Sequence, residues 1–299
     1  MFRANSLYTE EARMQPYVPI APLTLSPDAP IDLQTHTTFS DGRWTATQLL
    51  DHVASEEFAL VAITDHDRPD TVEDIQRLAA ERGVRVLPAV EMSSSWEGDL
   101  LDILCFGIPS SPNDLATLAQ NTRQRQLDNV REVYDALRRG DYRFPRASEV
   151  LPEEQHGEPR QLDDLIALMR AHGYAEGIGP ALRGAGYQWI SADPAAIVEA
   201  AHAAGALALI AHPGRGDGFV RLDAGQLDGL RAIAPVDGLE ARHPTHTPEQ
   251  VEDFVAYARA HNLLVSAGSD SHGPPSTMPI KYPAGTCHDL LERLGIQVR

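Results

Sequence analysis

Apolar residues gather into six short runs: Ile31–His36, Phe58–Asp65, Val84–Glu91, Leu100–Phe106, Ala206–His212 and Leu263–Asp270. A weaker seventh spans Val236–Arg242. Runs of this length bounded by polar residues read as buried strands. Between several of them the apolar spacing changes to three and four residues. That spacing predicts helices over Ala46–Ser55, Val72–Arg82, Pro194–Ala204 and Thr247–His261. Pro194 and Pro248 each follow a capping residue, Asp193 and Thr247, which marks two of the helix starts. Strands alternating with helices predict a parallel α/β sheet or barrel.

The alternation stops between residues 113 and 185. Asn113–Arg139 reads as one long charged helix, Pro145–Pro159 as a loop and Leu162–Ala171 as another helix. The expected organisation is an extended lead-in over residues 1–30, a barrel over 31–112 and 186–299, and a helical insertion over 113–185 that caps the site. The lead-in carries Pro16, Pro19, Pro22, Pro27 and Pro30 and shows no basic start followed by an apolar stretch, so no signal peptide is expected.

Composition narrows the classes. A chain of 299 residues, 42% of them hydrophobic, can bury one large barrel. No run of 18 apolar residues occurs, so no membrane span or membrane partner is expected. Cys105 and Cys287 are the only cysteines and no CxxC occurs, which argues against a disulfide framework or a thiolate zinc site and fits a reducing cytoplasm. The 25 basic against 43 acidic residues, a net of −18, argue against duplex nucleic acid as a partner. No P-loop or GxSxG is present.

The chemistry sits at the ends of the runs. The first supplies Asp32, Gln34 and His36, then Asp41; the second Asp65, His66 and Asp67; the third Glu91; the fifth His212. The seventh is followed by His243 and His246, and the last supplies Asp270 and His272. Any one of these alone would serve hydrogen bonding in a core. The ordered series does not arise from packing, because the C-terminal ends of parallel barrel strands meet at one face. Mixed imidazole and carboxylate ligands suit Zn²⁺, Mn²⁺ or Fe²⁺, and Glu91 is a candidate bridge between two ions.

The segments DLQTHTTFSDG (32–42), TDHD (64–67), VEMS (90–93), AHPGR (211–215) and GSDSHG (268–273) resemble the PHP family, named for polymerase and histidinol phosphatase. The resemblance covers residues 31–111 and 186–299, and the insertion resembles that of the subgroup acting on nucleotide 3′,5′-bisphosphates and on 5′ ends of short RNA. It implies a distorted (β/α)7 barrel, one to three divalent ions, and hydrolysis of a phosphomonoester of a small phosphorylated substrate, a nucleotide or short RNA, by metal-activated water. Carried over, it places His36, Glu91 and Asp270 at a first metal, Glu91 and His212 at a second, and Asp41, His66 and His272 at a third. Arg215 and Arg123 are candidate phosphate contacts, since guanidinium pairs bidentately with phosphate. Asp65 and His243 are candidate catalytic groups, His243 for protonating the leaving group.

The chain departs from the family pattern at Gln34, where the first histidine of a His-x-His pair is usual, and at Asp102, where a histidine is usual. In the insertion, Gln161 stands for a histidine and Gln126 for one of two arginines. Gln34 weakens the first metal, and Asp102 favours a harder ion such as Mn²⁺. Two other functions compete with the phosphoesterase: a ligand-binding or regulatory module with impaired metal loading, and a hydrolase of another bond, such as C–N, on the same metal frame.

Overall fold

The computed structural model describes residues 22–151 and 155–299. Most of the expected lead-in therefore lies outside the described residues. Its last part forms strand β1 (Leu23–Leu25), which pairs in parallel with the C-terminal strand β10 (Ile296–Val298).

The seven runs become β2 (Pro30–Thr35), β3 (Leu60–Ile63), β4 (Val86–Trp96), β5 (Asp99–Phe106), β6 (Leu207–Ile210), β7 (Gly238–Arg242) and β8 (Leu264–Ala267). With the two-residue β9 (Tyr282–Pro283) they form one eight-stranded sheet in the order β8-β7-β6-β5-β4-β3-β2-β9. The sheet curls nearly shut. Thr35 of β2 and Ser271, just past β8, bridge across the gap, and the His36 N–H donates to the Ser271 carbonyl at 2.7 Å. Asp32 makes the same closure with its side chain: it accepts from the N–H groups of Ser269 and Ile280, both at 2.9 Å, and of Gln34 at 3.3 Å. This acid, which the sequence offered beside the metal-competent residues, spends its lone pairs joining the barrel's ends.

The expectation of an all-parallel barrel needs correcting at two strands, of which the short β9 is antiparallel to β2. β5 runs antiparallel to both β4 and β6. Only the turn at Glu97 and Gly98 separates β4 from β5, and a hairpin must reverse direction. β5 therefore enters the site from its N-terminal half. Asp102 faces Ser93 across the hairpin. On one face of β4, Leu87 and Ala89 lead to Glu91; on the same face of β5, Phe106 and Leu104 lead back to Asp102. An apolar floor thus gives way to acids at one level.

Helices α1 (Ala46–Ser55) and α2 (Val72–Ala80) cover β2 to β4, with Leu49, Leu50, Val53 and Ile75 buried against Val61 and Ile63. Helices α7 (Pro194–Ala203), α8 (Ala224–Ile233) and α9 (Pro248–Ala260) cover the sheet from β4 to β8. Their starts follow from sequence. Thr45, Asp223 and Thr247 each make a reciprocal capping box with a glutamine three residues on, and Asp193 caps α7 ahead of Pro194. α10 (His288–Arg293) buries Leu290 and Leu291 against a cluster containing Leu33, Leu60 and Leu104.

Residues 113–185 carry α3 (Asp114–Arg139), α4 (Ala147–Val150), α5 (Leu162–Ala171) and α6 (Ile178–Gly184). Val133, Leu137, Leu165, Leu168, Met169 and Leu182 make a cluster separate from the barrel's. α4 falls within the stretch expected to be loop.

Candidate metal centre

His36 follows the last residue of β2, and the chain then turns back on itself. A Cβ on Gly42 would stand 2.5 Å from the carbonyl of His36, so only glycine allows this approach. The turn returns Asp41 to His36. Asp65 fastens it: its carboxylate accepts from the Thr37 N–H and hydroxyl, both at 2.7 Å, and from the Ser40 hydroxyl at 2.8 Å. Those bonds, with 2% of the residue exposed, make Asp65 a support for the Asp41 loop. Three further residues take left-handed backbone at strand ends: Asp67 (φ 53°), His212 (φ 27°) and Asp270 (φ 52°). Non-glycine residues hold such geometry only where the surroundings impose it, and it gathers at functional sites.

The side chains converge. His36 Nε2 is 3.0 Å from Glu91 Oε2 and 3.1 Å from Asp270 Oδ1. His212 Nε2 is 3.1 Å from Glu91 Oε1 and 4.0 Å from Asp102 Oδ2. Asp41 Oδ2 is 3.1 Å from His272 Nε2 and 3.8 Å from His66 Nε2. The rings of His66 and His272 stack on that of His36, with centroids 4.9 and 4.5 Å away. Among the described residues, three sets have ligand atoms within 4.8 Å of one another: His36–Asp41–His272, His36–His66–Glu91 and Glu91–Asp102–His212. His36 and Glu91 are shared, so the sets form one continuous centre.

Electrostatics favour a cation there. Burial opposes ionisation of Asp41 and Glu91, yet His66 and the neighbouring imidazoles outweigh it and hold both below the usual carboxylate range. Burial likewise disfavours charge on His66, but Asp41, Glu91 and Asp102 lift it to about 9. Asp102 is left over: burial pushes it up to about 7, with His66 opposing and the Glu91 charge adding to the rise. Several buried atoms lack hydrogen-bond partners: Asp102 Oδ1, His36 Nδ1 and His66 Nδ1. Buried polar atoms are nearly always paired, so a cluster of orphans facing a surplus of carboxylate fits divalent ions.

Gln34 is buried beside the centre. Its Nε2 donates to both oxygens of Glu91, at 3.0 and 2.9 Å. The amide nitrogen, not the oxygen expected as a weak ligand, faces the carboxylate. Arg215 Nη1 donates to Asp270 Oδ2 at 3.0 Å, and its guanidinium lies 4.3 Å from the Phe219 ring centroid. His243 Nδ1 lies 2.8 Å from the Thr245 hydroxyl and 3.2 Å from the Thr245 N–H, which leaves Nε2 turned toward the centre. That nitrogen is 3.7 Å from Asp270 Oδ2. Arg123 is half-buried on α3 and lines a cavity together with Asp41 and His66. His246 bridges two backbones, its Nε2 accepting from the Gly214 N–H and its Nδ1 donating to the Ala241 carbonyl, both at 3.0 Å.

The sequence reading missed Glu240. It is fully buried in β7, accepts from the His212 N–H at 3.1 Å, and is pushed well above the usual range by burial, then by Glu91 and Asp270. An acid between Leu239 and Ala241 in an apolar run was the available signal. Tyr187 and Trp189, which line the same cavity as Arg123, were also missed. A lone aromatic pair in a polar loop gives no periodic signal.

A nearly closed α/β barrel with a histidine and carboxylate centre at its mouth defines a metal-dependent hydrolase class. The comparisons agree. No family model matches the chain. A 3′,5′-nucleoside bisphosphate phosphatase from Chromobacterium violaceum is 30% identical over 256 residues, covering 82% of this chain and 88% of that protein. A 5′-3′ exoribonuclease from Haemophilus influenzae is 26% identical, covering 81% and 90%. The solved structure of a protein from Bifidobacterium adolescentis, described as a metal-dependent phosphoesterase, superposes with a TM-score of 0.72 at 25% identity over 91% of this chain and 96% of that one. The chain belongs to the PHP family of metal-dependent phosphoesterases and is a hydrolase.

Proposed function

We propose that the protein releases phosphate from a nucleotide-like phosphomonoester or the 5′ end of a short oligonucleotide. The observation that carries this reading is the shared centre, in which His36 and Glu91 belong to more than one ligand set. His36, Asp41, His66, Glu91, Asp102, His212, Asp270 and His272 would hold the ions, of which Mn²⁺ suits the carboxylate-rich set. Bound ions supply Lewis acidity, activating water and offsetting phosphoryl charge.

The chain's own groups do the rest. Arg215, held by Asp270 and Phe219, presents its remaining donors to a phosphoryl oxygen. His243, with Nε2 turned toward Asp270, is placed to donate a proton to the leaving-group oxygen. Asp65 and Gly42 fix Asp41; Gln34 fixes Glu91. The helices of 113–185 form a cap whose Arg123 faces the second part of the substrate. The nucleotide assignment draws on the names of the relatives, and the net charge of −18 fits a small substrate better than long nucleic acid. Two buried free cysteines fit a cytoplasmic setting. Among the described residues no helix is long and apolar enough to cross a membrane.

The test is phosphate release from adenosine 3′,5′-bisphosphate with and without Mn²⁺, in the natural protein and in His66→Ala. Mn²⁺-dependent release that falls on the order of a hundredfold or more in the variant supports the reading. Release unaffected by His66→Ala contradicts it. A second reading rests on Gln34: a binding module whose Glu91 is held by an amide would take up nucleotide without turnover.

A further inference from the structure

We propose that the cavity between α3, the start of α5 and residues 187–190 seats the planar ring of the substrate's leaving group, with Trp189 as the stacking face. This rests on the nucleotide reading above and goes further by naming the ring subsite.

The cavity opens beside the metal centre, since Asp41 and His66 form part of its wall. Its lining includes Tyr187, Trp189 and Ile190 together with Leu127, Val130 and Leu162. Its volume is about 180 Å³. Sites that enclose a whole drug-sized ligand run to about 300–1,000 Å³, so this one holds a ring and not an entire nucleotide. The phosphate then remains at the centre and the ring reaches outward.

Trp189 is 43% exposed, while most large apolar side chains of the fold are buried. Its exposure is not slackness of the loop. Asn129 on α3 pins the segment at two points, donating to the Gly186 carbonyl at 3.1 Å and accepting from the Gln188 N–H at 3.0 Å. Gln126, one turn earlier, donates to the Ile190 carbonyl at 3.0 Å and to Asp67 Oδ2 at 2.9 Å. Trp189 therefore sits between two fixed points, and Gln126 ties that segment to the loop carrying His66. A solvent-facing indole on a pinned backbone beside a reaction centre is a stacking platform, because every nucleobase offers a π-face. Tyr187 contributes a neutral hydroxyl, its pKa pushed up to about 12 by burial and then by Asp163.

Two measurements on the Mn²⁺-loaded full chain test this. The first is the ratio of kcat/KM for adenosine 3′,5′-bisphosphate to that for ribose 5-phosphate, which has no ring to stack. Trp189→Ala should lower the ratio about tenfold, within the range of base–aromatic stacking, and Trp189→Phe should recover most of it. An unchanged ratio overturns the proposal, as does equal loss in Ala and Phe variants. The second is tryptophan fluorescence, which adenosine 5′-monophosphate should quench in the natural protein and leave unquenched in Trp189→Phe, where Trp44 and Trp96 remain. Quenching with no phosphate release from either substrate would sink the phosphoesterase reading and leave the subsite standing. Release with no quenching would do the reverse.

Discussion

At the scale of single residues, Gln34 separates this centre from one with a histidine in its place. Its amide neutralises nothing, yet by donating to both Glu91 oxygens it orients the carboxylate that two ligand sets share. Gln34→His should add about one ion per chain by elemental analysis, because imidazole offers a lone pair where the amide offers N–H groups. An unchanged content would mean that position 34 does not border a metal. His246 gives a pH prediction. Burial holds its imidazole down to about 4, and its Nε2 is engaged as an acceptor. The unfolded chain binds that proton below about 6.5 and the folded chain only below about 4. Stability contributed by the neutral ring is thus present above 6.5 and lost as pH falls from 6.5 toward 4. Thermal midpoints of the natural protein should drop across that window by several degrees more than those of His246→Gln. Parallel curves would contradict the assignment.

At the scale of elements, the six strongest runs all appear as strands because burial on both faces writes itself as continuous apolar sequence. The same pattern says nothing of direction, so β5 was read as parallel when a tight turn makes it antiparallel. α8 escaped the helical pattern because Gly225 and Gly229 lower propensity, although Asp223 and Gln226 spelled a capping box. The strand-end ligands were legible since each lies near a change in hydrophobic pattern. Glu240 was not, because it sits inside a strand and its neighbours come from elsewhere in the chain. The crossing of β2 by the end of β8 depends on Gly268: a Cβ there would stand 2.4 Å from Gln34 Cβ and 2.5 Å from Glu240 Oε1. Gly268→Ala should therefore cost about 1–3 kcal/mol in denaturant unfolding and reduce metal content together. Loss of neither would show that the strands part easily.

At the scale of the whole molecule, the barrel concentrates Asp41, Glu91, Asp102, Glu240 and Asp270 at one end of an already acidic chain. Such a fold is stabilised by whatever cation binds the native state and not the unfolded one. Chelation by EDTA should lower the thermal midpoint, and Mn²⁺ at about a hundred times its dissociation constant should restore about 2.7 kcal/mol per independent site. A midpoint indifferent to both would mean that the carboxylates are balanced by protons and the neighbouring histidines alone.

The claim on which the rest depends is that His36, Glu91 and their neighbours form one shared metal centre. Metal content per chain, measured by elemental analysis on protein dialysed against Mn²⁺, tests it most directly. The account predicts two or three ions, with at least one lost in His66→Ala. One ion or none, unchanged by that substitution, would contradict it and leave a PHP barrel without a shared metal centre.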